Sequence, residues 1–418
     1  MACRAGLMAT RSMISRTHQN DVITARFGKL AKIWTRRQVS GNQDIEKMTH
    51  LRQQFQSVEN LEVTSVTKAH YPNFNALRLM AASAVVFSHS FLLATGSEET
   101  EPLHSTGLTA GVYGVFVFFI LSGFLVTESA KRASGVGDYF RKRFLRIAPA
   151  LVVSTFLITY AVVPFFAPNG PMEFIQDPDV LNNVIKTIFL HNGGLYFYGV
   201  EFYPPSSQAD FLPGVANGVL WTIRLEVIGY AFVGLLMAMW FLQDRRQWIT
   251  IPIILAIVVF SIANAHAVSV KWISELLLVL PAFCCGIFLN WLVRFHVPQA
   301  RIALLSAIGI VPAVYFGVLP ETFSFLVAYP LIWLGAVQFK PLNWFSSTSD
   351  ISYGLYLYGW PVTQLIRSFM GEGLSGYQMT ALALPATALA AYASWHLVEK
   401  PALRFKTAVP KNPVIAAF

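Results

Sequence analysis

Apolar runs long enough to cross a lipid bilayer recur along this chain, and that repetition fixes its fold class before any motif is read. A hydrocarbon core about 30 Å thick needs roughly twenty apolar residues of helix. Backbone polar groups in lipid must be satisfied within the segment, so the spanning elements are helices. Windows of this size place ten spans at 77–96, 111–129, 147–166, 217–242, 249–265, 272–293, 302–318, 322–339, 351–370 and 379–399. Only 13% of the 418 residues are charged and 55% are hydrophobic, against about 25% charged in a soluble domain. The expectation is an all-α, polytopic membrane protein with about ten transmembrane helices.

The net charge of +9 would suit a nucleic-acid partner, but its distribution argues for membrane topology instead. With the N-terminus placed in the cytoplasm, 27 of the 31 Lys and Arg fall on the cytoplasmic side; Lys186, Arg224, Lys271 and Arg367 are the remainder. That bias predicts an even number of spans with both termini cytoplasmic. The expected division is a basic N-terminal arm over 1–70, suited to anionic lipid, a membrane domain over 71–405, and a short tail over 406–418. No signal-peptide pattern opens the chain. Residues 167–216 form a long segment between spans, with five acidic residues. That is long for a connector, so it reads either as a binding loop or as a passive surface loop. Cys3, Cys284 and Cys285 make no disulfide framework. No zinc-ligand spacing, P-loop, dinucleotide-binding glycine motif or GxSxG occurs, so no metal is expected.

Within this frame, Arg78 and His89 stand out: both lie in the first span. Ionisable groups inside a span are costly and mark sites or pathways. Eleven residues separate them by about 16 Å along the axis and about 20° around it, so they share one face. Arg143 and Arg146 after the second span are i,i+3 neighbours, and two guanidiniums together suit bidentate phosphate binding or simple positive-inside anchoring. Ser122 sits among small residues at 111, 114 and 123 that permit close helix packing. Arg224 and Glu226 are two residues apart and cannot face each other on a helix, so each needs another partner. Glu226 could orient the His89 imidazole, as in a base–orienter pair, or join an ion pair with Arg224 or Arg367. The ninth span, with Tyr353, Tyr356, Tyr358, Trp360 and Pro361, suits either a cavity lining or packing.

Together these residues resemble acyltransferase family 3, the integral-membrane enzymes that O-acetylate bacterial surface and secreted glycans. The resemblance covers about residues 72–405. It is carried by Arg78 with His89, by Phe119-Ile-Leu-Ser122-Gly123-Phe124, by Arg143 with Arg146, by Trp221-Thr222 through Glu226, by Ser352-Tyr353 through Pro361, and by Glu399 with Pro401. Three positions depart from the family pattern. Asn75 stands where many members have Asp, Arg224 where Ser or Pro is commoner, and Gly359 where many have His.

The resemblance implies a membrane-bound O-acyltransferase of the bacterial inner membrane. It implies acyl-CoA, above all acetyl-CoA, as donor, and a glycan hydroxyl of exopolysaccharide, lipopolysaccharide or lipo-oligosaccharide type as acceptor. Arg78, Arg143 and Arg146, with Ser122, are the expected donor contacts, and the pantetheine arm would run along the Arg78–His89 face. His89 would act as general base on the acceptor hydroxyl, with Glu226 beside it, or carry the acyl group covalently. Trp221, Tyr230, Tyr353 and Trp360 are the expected substrate contacts. A transporter or flippase for a lipid-linked glycan is the alternative, since it too wants charges in a polar cavity; a non-catalytic scaffold is a third.

Overall fold

A computed structural model describes residues 71–202, 214–242, 246–264, 267–337 and 349–407. The expected basic arm over 1–70 and nearly all of the tail lie outside the described residues.

Helices run through every expected span. In chain order they are α1 (Phe74–Thr95), α2 (Ala110–Arg132), α3 (Val136–Leu157), α4 (Pro171–Gln176), α5 (Pro178–Ile188), α6 (Trp221–Ala238) and α7 (Gln247–Asn264). There follow α8 (Lys271–Leu292), α9 (Ala300–Ile308), α10 (Ile310–Tyr315), α11 (Leu319–Ala336), α12 (Ser352–Met370), α13 (Gly376–Ser394) and α14 (Lys400–Arg404). A two-stranded antiparallel pair, β1 (Leu195–Tyr196) with β2 (Val215–Asn217), lies between α5 and α6.

Among the described residues, seven helices are long and apolar enough to cross a membrane: α1, α2, α3 extended to Phe166, α6, α8, α11, and α13 extended to Arg404. The other three expected spans fall short for local reasons. The run over 302–318 divides at Gly309 into α9 and α10. The apolar run of α7, Trp248–Asn264, falls among the shorter apolar helices. α12 is of spanning length, but Gln364 and Arg367, both buried, lower its apolar character. The chain is thus a multi-pass helical membrane protein.

α1 lies at the centre, packed against α2, α12 and α13, while α2 packs most extensively on α8. The small residues of α2 make both contacts possible. A Cβ added to Gly123 would stand 2.1 Å from the Phe283 carbonyl oxygen of α8. One added to Gly114 would stand 2.7 Å from the Ala81 carbonyl oxygen of α1. Close backbone approach of this kind drives helix association where lipid supplies no hydrophobic force. At the far end of α1, the buried Glu101 carboxylate accepts from Ser88 Oγ at 2.6 Å and from the Ala110 backbone N–H that opens α2. A carboxylate at a helix N-terminus satisfies an orphan donor and complements the dipole.

Candidate active site

Two cavities draw lining residues from the same three helices. The first, basic, has a volume of about 470 Å³ and is lined by Arg78, Arg143, Arg146 and Lys406 together with Ser122, Glu226, Tyr230, Asp350, Tyr353 and Tyr356. The second, aromatic, has a volume of about 570 Å³ and is lined by His89, Tyr196, Trp221, Arg224, Trp272 and Trp360 together with Glu98, Lys271 and Glu275. They share no lining residue, yet α1, α6 and α12 contribute to both. α1 supplies Arg78 near one end and His89 about 16 Å further along.

The periodicity of α6 explains its division. Thr222, Glu226 and Tyr230 follow one another at i, i+4 and i+8 and face the basic cavity, whereas Trp221 and Arg224 are i,i+3 and face the aromatic one. This separates Glu226 from His89. The expected base–orienter pair is not formed: the Glu226 carboxylate accepts instead from Ser122 Oγ at 3.2 Å and from the Tyr230 hydroxyl. The ion pair of Glu226 with Arg224 is not formed either. Arg224 lies 4.0 Å from Glu275 of α8, with its guanidinium 5.7 Å from the centre of the Trp272 ring.

In the basic cavity a carboxylate outside every motif organises the arginines. Asp350 is 2.6 Å from Arg146 and 3.6 Å from Arg78, and accepts from Ser352 Oγ at 2.7 Å. Burial works against its charge, but the Arg146 and Arg78 guanidiniums outweigh burial and hold the carboxyl below its ordinary range. Arg146 also lies 3.7 Å from the buried Glu399 and stacks near Tyr353, 5.9 Å from its ring centre. Arg143 differs. It bonds Ser129 Oγ at 3.1 Å and lies 5.7 Å from the centre of the Tyr230 ring, but forms no ion pair among the described residues. Lys406, just past the last helix, completes the ring. Burial, and then the nearby Arg143, Arg146 and Arg78, push its ammonium down to about 7. Four cations thus face two carboxylates across the lining, an excess of positive charge suited to phosphate.

His89 meets the edge of Trp360, with ring centroids 4.9 Å apart at 74°. Its Nδ1 is buried without a hydrogen-bond partner. Trp360 is itself fixed by Gln364, which accepts from Nε1 at 3.0 Å while donating to the Val215 carbonyl at 2.9 Å. The segment expected as a long loop therefore supplies part of this wall, through Gly193, Tyr196 and Val215. Phe118 of α2, Thr222 of α6 and Tyr356 of α12 line the basic cavity together. The Tyr356 hydroxyl shares a short hydrogen bond with Thr222 and donates to the Val219 carbonyl at 2.8 Å, and its ring meets Phe118 edge-on.

Of the expected site residues, Arg78, Ser122, Arg143, Arg146, Glu226, Tyr230 and Tyr353 come together in the basic cavity, and His89, Trp221 and Trp360 in the aromatic one. Asp350, Lys406 and Trp272 escape the sequence reading, while Tyr356, read in the ninth span as cavity lining or packing, lines the basic cavity. Among the described residues no group of three or more His, Cys, Asp or Glu is placed to hold a metal ion.

Comparison with known proteins agrees with this architecture. An O-acetyl transferase of Shigella phage Sf6 is 27% identical over 342 residues, covering 78% of this chain and 94% of the phage protein. Nodulation protein 10 of Rhizobium leguminosarum bv. viciae is 26% identical over 376 residues, covering 82% and 96%. The peptidoglycan O-acetyltransferase OatA of Listeria monocytogenes is 22% identical over 391 residues, covering 81% of this chain and 56% of its own. No solved structure matches the chain. The family profile described as an acyltransferase domain matches residues 71–398, and the chain, a multi-pass membrane acyltransferase, belongs to that family.

Proposed function

We propose that this protein moves an acyl group, acetyl in the first instance, from acyl-CoA to a hydroxyl of a bacterial glycan or glycolipid at the inner membrane. The observation that carries the reading is the pairing of a basic cavity with a histidine-bearing aromatic cavity on one helix. With the basic cavity on the cytoplasmic side, the side the Lys and Arg distribution favours, Arg143, Arg146, Arg78 and Lys406 receive the CoA phosphates. The acyl end of the pantetheine arm points toward Phe118, Thr222 and Tyr356. The acceptor enters the aromatic cavity, where aromatic faces and a few polar groups suit a sugar ring.

In this scheme His89 removes the proton from the acceptor hydroxyl as its oxygen bonds to the thioester carbonyl carbon. The carbon–sulfur bond then breaks, the thiolate leaves, and the histidine proton neutralises it. In this reading Nδ1, which has no hydrogen-bond partner among the described residues, takes that proton. Glu226, facing the other cavity, acts on the donor side, holding Tyr230 and Ser122 against the space the arm would occupy.

The test is acetyl-CoA turnover by the purified protein in liposomes, wild type beside His89→Ala. CoA release by wild type alone supports the donor and the base together. If neither form binds or cleaves acetyl-CoA, the reading fails and a glycan transport assay takes its place.

A further inference from the structure

The aromatic cavity contains two buried polar atoms that nothing among the described residues satisfies, His89 Nδ1 and Arg224 Nε. Buried polar groups are paired in the great majority of cases, so His89 and Arg224 keep hydrogen-bonding capacity that their neighbours do not use. The proton acceptor of the proposed transfer accounts for His89. Arg224 is not used by that chemistry.

Its surroundings say what it would bind. The guanidinium lies over Trp272, which fixes its plane and leaves its edge donors free to pair. Its one ion pair among the described residues, to Glu275, is at the outer limit of such a contact, 4.0 Å. Glu275 has a second cation within reach, because Lys271 precedes it by one turn on α8. An incoming carboxylate can therefore replace Glu275 at Arg224 without leaving Glu275 unpaired. The charges already in the cavity, Arg224 and Lys271 against Glu98 and Glu275, cancel. A monoanion adds a single negative charge there, and a phosphate dianion would add two. Tyr196, Trp221, Trp272 and Trp360 provide flat apolar faces for a sugar ring.

We propose that the aromatic cavity selects an acidic sugar of the uronic-acid class, its carboxylate paired with Arg224 while its hydroxyl faces His89. This rests on reading that cavity as the acceptor side.

The experiment compares cellobiuronic acid with cellobiose, two disaccharides that differ in one carboxylate. Binding to the full-length protein in lipid nanodiscs is read by saturation-transfer NMR titration. The acidic disaccharide is expected to bind about tenfold more tightly at low salt, the scale of one charge-assisted pair, with the preference shrinking as salt is added. Arg224→Gln should bring the two sugars to within about twofold, and Arg224→Lys should keep part of the difference. Glu275→Gln, which removes the internal competitor, should enlarge it. This second variant keeps the test decisive if Arg224→Gln does not fold. Equal binding of the two sugars, binding of neither, or a preference that survives Arg224→Gln overturns the proposal. Acetyl-CoA hydrolysis in the same preparation separates the two failures: hydrolysis without acid preference sinks the acidic sugar alone, and acid preference without CoA binding sinks the acyl transfer.

Discussion

Asp350 accepts a 2.6 Å hydrogen bond from Arg146, and through this contact the segment before α12 holds two arginines of the basic cavity in place. Asp350→Asn should leave Arg78 and Arg146 facing each other without their shared counter-charge. Removing one partner of a buried pair typically costs about 3 kcal/mol. The expected outcome is a lower melting temperature in detergent. The carboxyl is held below its usual range, so its contribution is present above the ordinary carboxylate pKa and is lost only as pH falls through the lower folded value. Wild type should thus keep this stability at pH 5.

Arg143 and Arg146 should part company on substitution. Both Ala variants are expected to raise KM for acetyl-CoA more than they lower kcat, because phosphate contacts are mostly uniform binding. A rise of roughly 10- to 100-fold is the scale of one charge-assisted hydrogen bond. Arg143→Ala should do so with little change in melting temperature, since Arg143 forms no ion pair among the described residues. Arg146→Ala should also destabilise, because it strips the partner from Asp350 and Glu399. An unchanged KM in the double variant would sink the CoA assignment.

If the basic cavity receives the donor as proposed, Lys406 gives it a pH dependence. Its pKa falls to about 7, so the cavity loses a positive charge as pH rises through neutrality. KM for acetyl-CoA should rise between pH 6 and 8.5 in wild type and flatten in Lys406→Met. The stability effect has the opposite sense. A lysine whose folded pKa is depressed destabilises the fold at low pH, and that penalty is relieved as pH climbs from 7 toward 10.5. Ligand-free protein should therefore melt at a higher temperature at pH 9 than at pH 7, a difference absent from Lys406→Met.

Gly123→Ala tests the helix crossing apart from the chemistry. The added methyl group would overlap backbone of α8 at 2.1 Å, which no side-chain rotation relieves. Overpacking of this kind costs about 1–3 kcal/mol, read as a fall in melting temperature.

The helical membrane fold was legible because apolar length is a local signal. Positions of helices followed directly; crossing ability did not, since Gly309 and the polar residues of α12 alter spans whose average composition reads as apolar. The arginines and His89 were legible because a charge in an apolar run is conspicuous. Their partners were not. Asp350 is an acid in a polar stretch, 204 residues from Arg146, and no local pattern links the two. Glu226 was misassigned for a different reason. Depth along α6 suggested the His89 layer, but rotation about the helix axis turns it to the opposite cavity, beside Tyr230 one turn away.

The sharing of α1, α6 and α12 by two cavities has an electrical consequence. On the proposed reading, polar cavities on either side of one bundle would shorten the insulating path, so the transmembrane voltage would fall mainly between them. Each elementary charge carried along that path works against about 2.3 kcal/mol per 100 mV. In the proposed transfer the neutral acyl group would cross at no electrical penalty, while the polyanionic CoA would be held back. The voltage across that path would then sort cargo from carrier by charge alone.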